Sequence, residues 1–183
     1  MTTNDHWRYF LALEQDVERT TRFVEPHVAN YRTFSLEFVR LILSACSEVD
    51  VVAKVLCNEI DPSKKPQSIT DYRKIILAKY PNFHQIIVSV PRFHLLFEPW
   101  KEWGRGENPG WWKDHQEVKH RRHEAFHKAD LEHCIVSAGA LFALTLYLCR
   151  IERISLERAS FFEVEPPPHV GIVRKYPLPD DPL

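Results

Sequence analysis

Residues 111–148 read WWKDHQEVKHRRHEAFHKADLEHCIVSAGALFALTLYL, and this stretch decides the fold. Its second half has no charged residue over Cys134–Cys149, a run too short for a bilayer, which needs roughly 20 residues. The run therefore predicts a central core helix, with Asp130 as its N-cap and an end near Ile154. The first half, Trp111–Phe126, has helical periodicity and concentrates basic and imidazole side chains.

The composition is that of one soluble globular domain. The chain has 183 residues, 44% hydrophobic and 27% charged, with a formal net charge of −1. No overall positive field attracts it to nucleic acid or anionic lipid, so a site for a polyanion must be local. Four cysteines without CxxC spacing lie in apolar helical patterns, which favours buried, reduced thiols in the cytoplasm. The N-terminal MTTNDHWRYF lacks the basic start and apolar core of a signal peptide.

Outside the deciding stretch, the spacing of apolar residues predicts three further helices. The first covers residues 5 to about 23, and the second covers residues 34 to about 58. Ser68 or Thr70 is expected to cap a third helix that runs to Tyr80, just before a proline.

Between residues 84 and 110 the helical pattern lapses. Residues 85–90 predict a short strand, and residues 93–97 predict its partner. Together the segments indicate an all-α protein, an antiparallel four- to five-helix bundle with a short irregular or hairpin insertion around 84–110. We expect one domain over residues 1–160 and an extended proline-rich tail over residues 161–183.

Arg122 falls on the apolar stripe of the charged helix, together with Val118 and Ala125. A guanidinium keeps its charge, so an inward position requires a carboxylate, a phosphate or ordered water. Glu48 stands in the apolar stripe of the second helix, and we predict that it, or the nearby Asp50, pairs with Arg122 across the bundle. Such a pair either fixes helix register or holds the arginine for a phosphate; the alternative places both residues at the surface.

His120, His123 and His127 share a second, more exposed stripe. The spacing of His123 and His127 is suited to zinc, and Glu-x-x-His occurs twice as in carboxylate di-iron bundles, although no other helix repeats it. Alternatively, an imidazole exchanges protons near neutral pH while an adjacent guanidinium binds a phosphate. RNA supplies its own nucleophile, the 2′-hydroxyl, so this chemistry requires neither a metal nor a protein nucleophile.

The segment Arg122-His-Glu-Ala-Phe-His127 fits the Arg–x(4–6)–His pattern of the HEPN superfamily, and Arg121 with His127 fits it as well. The Trp-Trp pair, the Val-Lys-His-x-Arg run and the long apolar helix resemble a prokaryotic HEPN-like branch over residues 99–150, and more loosely over 34–58. On an unbroken helix, residues five apart point about 140° away from each other. The arginine and histidine therefore converge only if the helix ends or bends near Phe126.

The resemblance implies a small helical bundle, commonly a homodimer, that acts as a metal-free endoribonuclease in a toxin–antitoxin system or in antiviral defence. It implies that the protein uses no cofactor and does not bind a membrane. The implied partners are RNA and an antitoxin or other protein. Two alternatives stay open: a non-catalytic HEPN-like dimerisation or interaction module, and a metal-binding helical-bundle enzyme. Trp100, Trp103 or Trp112 either stacks a base or packs in the core. The predicted site residues are Arg122, His127, Arg121, His120 and, from its place in the apolar stripe, Glu48 for catalysis, and Lys119, Lys128 and His123 for RNA binding.

A second segment, Arg22-Phe-Val-Glu-Pro-His27, has the same Arg–x4–His spacing. Nothing else in that region supports it. The position of the motif, between a charged helix and the apolar helix, therefore favours the Arg122 segment.

Overall fold

The computed structural model describes residues 2–153 and 156–165. In this part of the chain it contains six α-helices and one small antiparallel sheet. The helices are α1 Thr3–Thr20, α2 Leu36–Ile60, α3 Ile69–Lys79, α4 Gly110–His120, α5 Arg122–Ala125 and α6 Leu131–Ile151. The strands are β1 Val88–Val90, β2 Leu95–Phe97 and β3 Glu163–Val164.

The helical class is confirmed, but the structure is not a four- to five-helix bundle. The helix predicted over residues 111–126 is broken at Arg121, which divides it into α4 and α5. The hairpin predicted within residues 84–110 is present, and β3 adds a third strand to it in the order β2-β1-β3. Part of the segment between β2 and α4, Lys101–Arg105, forms a 3₁₀ turn.

Four of the helices begin at a residue whose side chain accepts a hydrogen bond from a backbone N–H of the first turn. This cap satisfies one of the N–H groups that have no partner within the helix. Ser68, rather than Thr70, caps α3, and Asp130 caps α6 as predicted. The caps are Thr2 for α1, Ser35 for α2, Ser68 for α3 and Asp130 for α6.

Helix α6 is the centre of the core and packs against α1 and α2. Every residue from Ser137 to Cys149 is buried. Among the described residues it is the one helix long and apolar enough to cross a membrane, but 83% of its most apolar window is buried inside the protein. Other parts of the described protein therefore cover most of its surface. All four cysteines are buried free thiols, as predicted.

The hairpin lies directly against α6 at Gly139. A Cβ atom at that position would lie 2.6 Å from Cε2 of Phe97 on β2. The missing side chain therefore permits the close approach of the sheet to the helix.

Residues 161–165 were predicted as the beginning of an extended tail, and the structure places them on the core. Phe161 and Phe162 are buried, and β3 pairs with β1 in antiparallel register. The buried carboxylate of Glu14 accepts hydrogen bonds from the backbone N–H groups of Ser160, Phe161 and Phe162 at 2.9–3.0 Å. The rest of the predicted tail, residues 166–183, lies outside the described residues.

Candidate functional site

The charged segment lies where α4 ends. Arg121 has backbone angles of φ −136° and ψ 45°, outside the helical region, and the chain continues into the short α5 and then a 3₁₀ turn, Phe126–Lys128. The break therefore comes five residues earlier than the predicted bend near Phe126. We call Lys119–Lys128 the basic segment.

Arg122 is exposed, so the prediction of an inward guanidinium is wrong. Val118 and Ala125, its neighbours on the predicted stripe, are buried as expected. An unbroken helix would direct Arg122 to the same side as these two apolar residues. The break at Arg121 separates Arg122 from the stripe and keeps its charge in water, which avoids the free energy of desolvating an unpaired cation.

The predicted ion pair between Glu48 and Arg122 is also absent. Glu48 is buried on α2, and its Oε1 lies 2.5 Å from Nδ1 of His6 on α1. The alternative carboxylate, Asp50, accepts hydrogen bonds from the Tyr72 hydroxyl at 2.7 Å and from Lys54 Nζ at 2.5 Å. The carboxylate at position 48 thus stabilises the packing of α1 against α2 and lies outside the candidate site.

Four exposed side chains of the basic segment have no ion-pair partner within residues 2–153 and 156–165. They are two cations and two imidazoles, and they lie on both sides of the break. These residues are Lys119, His120, Arg122 and His127. They are therefore free to contact an anionic ligand from solvent.

The remaining predicted residues of the segment have carboxylate neighbours. The guanidinium of Arg121, whose side chain is 57% exposed, lies 3.7 Å from both Glu117 and Glu124. The exposed His123 Nε2 lies 3.3 Å from the Glu124 carboxylate. Surface pairs at such distances contribute little free energy, so both side chains remain accessible to a competing phosphate.

Lys128 differs from the other cations because it anchors the segment. Its Nζ lies 2.7 Å from Asp114 and 2.8 Å from Glu117, both on α4. The hydrogen bonds to these two carboxylates raise the pKa of Lys128. We conclude that Lys128 connects the basic segment to α4. Its contacts favour this structural role over the predicted role in RNA binding.

An ionic network that the sequence did not suggest continues from Asp114 to the start of α6. His133 lies between two carboxylates, with Nδ1 2.8 Å from Asp130 and Nε2 3.2 Å from Asp114. Burial lowers the pKa of His133, but the hydrogen bond and charge of Asp130 outweigh that effect and raise it above its ordinary value. Arg32 also donates to Asp130 at 2.9 Å. Through Lys128, this network ties the C-terminal end of the basic segment to α4 and to the start of α6.

A cavity of about 390 Å³ adjoins the basic segment. Helix α4 contributes Trp112, His115 and Lys119 to its wall, and α2 contributes the opposite wall. Burial, followed by the charge of Lys119, lowers the pKa of His115 to about 4, so its imidazole is neutral at pH 7. Trp100 and Trp103, the other two tryptophans considered for base stacking, are fully buried in the core.

A larger cavity, of about 510 Å³, lies on the other side of the ionic network, beside His133. Three carboxylates line it, those of Glu98, Glu102 and Glu132. They outnumber the one lysine in the lining, Lys101, so the charge of this cavity is unfavourable for a phosphate. Of these two cavities, the one between α2 and α4 has the less negative lining, with the ammonium of Lys119 and the single carboxylate of Asp50.

The described part of the chain contains no cluster of three or more His, Cys, Asp and Glu side chains arranged to hold a metal ion. The two Glu-x-x-His segments therefore gain no support as metal ligands there. Comparisons of the chain with protein-family models, curated proteins and solved structures returned no match. The resemblance to HEPN proteins thus depends on the residues quoted above.

Proposed function

We propose that this protein is a metal-independent endoribonuclease of the HEPN type, with Arg122 and His127 as its principal catalytic residues. One observation carries the proposal. The exposed cations Lys119 and Arg122 share a short segment with the exposed imidazoles of His120 and His127, and none of the four is paired with a carboxylate in the described residues. Cations bind phosphate oxygens, and imidazoles exchange protons at neutral pH.

In the proposed reaction the 2′-hydroxyl oxygen of RNA attacks the adjacent phosphorus and the bond from phosphorus to the 5′-oxygen breaks. His127 removes the proton from the 2′-oxygen, and a protonated His120 or water gives a proton to the departing 5′-oxygen. Arg122 binds the phosphate and stabilises the negative charge that develops on its oxygens. The products are a 2′,3′-cyclic phosphate and a 5′-hydroxyl.

RNA binding precedes this chemistry and is local, because the whole chain has a formal net charge of −1. Lys119, Arg121 and His123 supply electrostatic contacts to the RNA backbone around the catalytic pair. The proposed setting is the cytoplasm, as a toxin or an antiviral nuclease, with an antitoxin or another protein as regulator. The proposal requires no cofactor.

The test is cleavage of a labelled RNA by the purified chain in EDTA, compared with Arg122→Ala and His127→Ala. We expect the wild type to cleave and each variant to lose at least about 100-fold in rate, the usual contribution of a positioned acid–base or electrostatic group. The chain supplies a matched control in Arg22→Ala and His27→Ala. These two residues have the same spacing and are also exposed, but they lie at the other end of the domain's sequence.

Activity that disappears in EDTA would refute the metal-independent mechanism. Equal losses in the control pair and in the Arg122 and His127 variants would refute the assignment of the site. Complete absence of cleavage over a broad range of RNAs would remove the nuclease proposal.

A second candidate function is a non-catalytic HEPN-like dimerisation module, and a specific observation favours it. Glu48, the carboxylate expected to position Arg122, pairs with His6 instead. Beside the basic segment, moreover, Phe34 and Leu36 are 47% and 74% exposed, and the Phe34 ring packs edge-on against Phe126. An apolar patch there is suited to a second copy of the chain.

Light scattering distinguishes the two candidates when it is combined with the cleavage assay. The module predicts a dimer that Leu36→Ser weakens, without nuclease activity. A clean monomer in solution would refute the module.

A further inference from the structure

The cavity between α2 and α4 has the size and composition of a small-molecule site. Its volume, about 390 Å³, lies within the range of roughly 300–1,000 Å³ typical of ligand pockets. Leu43 and Val51 of α2 and the ring of Trp112 supply apolar surface. The Trp112 ring contacts the imidazole of His115, with centroids 5.2 Å apart.

Several polar groups of this cavity have no hydrogen-bond partner among the described protein groups. They include the hydroxyl of Ser47 and the ammonium of Lys119, both of which line the cavity and are exposed. A ligand that enters can therefore form hydrogen bonds without breaking existing ones. That arrangement favours binding, because displaced protein contacts would otherwise reduce the affinity.

His115 contributes an imidazole to the wall of the cavity. The side-chain amide nitrogen of Gln116 lies 3.4 Å from Nδ1 of His115, and a neutral imidazole carries one N–H donor and one acceptor nitrogen. The carboxylate of Asp50 lies in the opposite wall, where it accepts hydrogen bonds from Tyr72 and Lys54, and a carboxylate has lone pairs for further donors. A hydrogen-bonding imidazole, a carboxylate and an aromatic ring in one cavity match the polar edge and the stacking face of a nucleobase.

Lys119 connects this cavity to the basic segment, because it lines the cavity and is the first residue of the segment. A nucleotide whose base lies in the cavity would place its phosphate at Lys119. Arg122, the proposed catalytic arginine, follows Lys119 by three residues in the same segment. We propose that the cavity between α2 and α4 binds a nucleobase of the RNA that the basic segment contacts. The proposal rests on the proposed function, because it identifies a base-binding subsite for that substrate.

The experiment titrates the full chain with the four nucleoside monophosphates and the corresponding nucleosides, followed by ¹H–¹⁵N NMR and calorimetry. We expect at least one nucleotide to bind and to shift the indole N–H signal of Trp112. Lys119→Ala should reduce the affinity for the nucleotide to that for its nucleoside. The affinity for the nucleoside should stay unchanged, because only the phosphate contacts Lys119. Binding of none of the eight compounds at millimolar concentration would overturn the proposal.

A pocket-filling variant, Ser47→Trp, provides a second criterion, with Asn58→Trp as its control. Both residues are exposed on α2, and Asn58 does not line the cavity. We expect at least a tenfold loss of nucleotide affinity for Ser47→Trp and none for Asn58→Trp. Equal affinity of the two folded variants would refute the site, and Lys119→Ala decides the matter if Ser47→Trp does not fold.

The outcomes separate this proposal from the nuclease itself. Nucleotide binding in the cavity without any RNA cleavage supports the base site and removes the nuclease. Cleavage that depends on Arg122 and His127, and that Ser47→Trp leaves unchanged, supports the nuclease and removes the base site.

Discussion

Protonation of His115 should make the stability of this protein depend on pH in a defined direction. The imidazole is 5% exposed, and burial lowers its pKa from an ordinary 6.5 to about 4. Between these two values the unfolded chain binds a proton that the folded protein does not. The contribution to stability is therefore fully present above pH 6.5 and is lost as the pH falls toward 4.

The magnitude follows from the two pKa values. For a single group with these values, the linkage relation gives a loss of about 2.5 kcal/mol between pH 7.5 and pH 4.5. The full shift corresponds to about 3.4 kcal/mol. Other groups with altered pKa values, such as Asp130 and His133, contribute to the pH dependence of any variant that retains them.

The assay is urea unfolding followed by tryptophan fluorescence at the two pH values, for the wild type and His115→Gln. Subtracting the two pH dependences cancels the groups that the proteins share. We expect the wild type to lose about 2.5 kcal/mol more than the variant. His123→Gln, which removes an imidazole with a 79% exposed side chain, is the matched control and should follow the wild type within about 0.5 kcal/mol. Parallel pH dependences of wild type and His115→Gln would refute the argument.

Three further predictions concern unfolding free energies measured in urea at pH 7.5. Glu48→Ala should lose about 3–5 kcal/mol because it leaves the buried His6 without its partner; a loss under 1 kcal/mol would contradict that pairing. Gly139→Ala should lose about 1–3 kcal/mol because its Cβ would meet Phe97 at 2.6 Å, and a neutral result would mean that the hairpin is not held there. Arg122→Ala should change stability by less than about 0.5 kcal/mol, since its side chain is exposed; a large loss would indicate a buried partner.

Much of the fold follows from local patterns in the sequence. Ser68 and Asp130 begin helices where their side chains cap the first turn, and a cap depends on only a few neighbouring residues. The hairpin of β1 and β2 was likewise expected from two short apolar runs. The third strand was not, because Glu163 pairs with Ser89, more than 70 residues earlier in the chain, and nothing local indicates such a distant partner.

The break at Arg121 shows that helical spacing in the sequence does not always predict a continuous helix. Val118, Arg122 and Ala125 keep helical spacing in the sequence, so the pattern predicts one helix with an inward arginine. The folded chain instead places the guanidinium in water, because desolvating it without a partner exceeds the free energy of a few helical hydrogen bonds. That balance depends on which carboxylates lie nearby, and the spacing of residues does not contain this information.

The contacts predicted for Glu48 and Arg122 were wrong, and the role of the basic segment stays a proposal. The sequence concentrates its basic residues in the segment that the structure leaves exposed. The partner of Glu48 was missed, although a signal existed: His6 shares the helical spacing of Phe10, Leu13 and Val17, all buried. The cavity beside Lys119 depends on how α2 packs against α4, so it becomes visible only in three dimensions.

The most direct test of the central claim is the cleavage of one RNA oligonucleotide in EDTA, compared with the same sequence carrying 2′-O-methyl groups throughout. The proposed site supplies proton transfer and charge stabilisation and takes its nucleophile from the substrate. We predict that the unmodified RNA is cut to products ending in a 2′,3′-cyclic phosphate and that the methylated strand stays intact. Cleavage of both strands, or products ending in a 3′-hydroxyl, would contradict the mechanism.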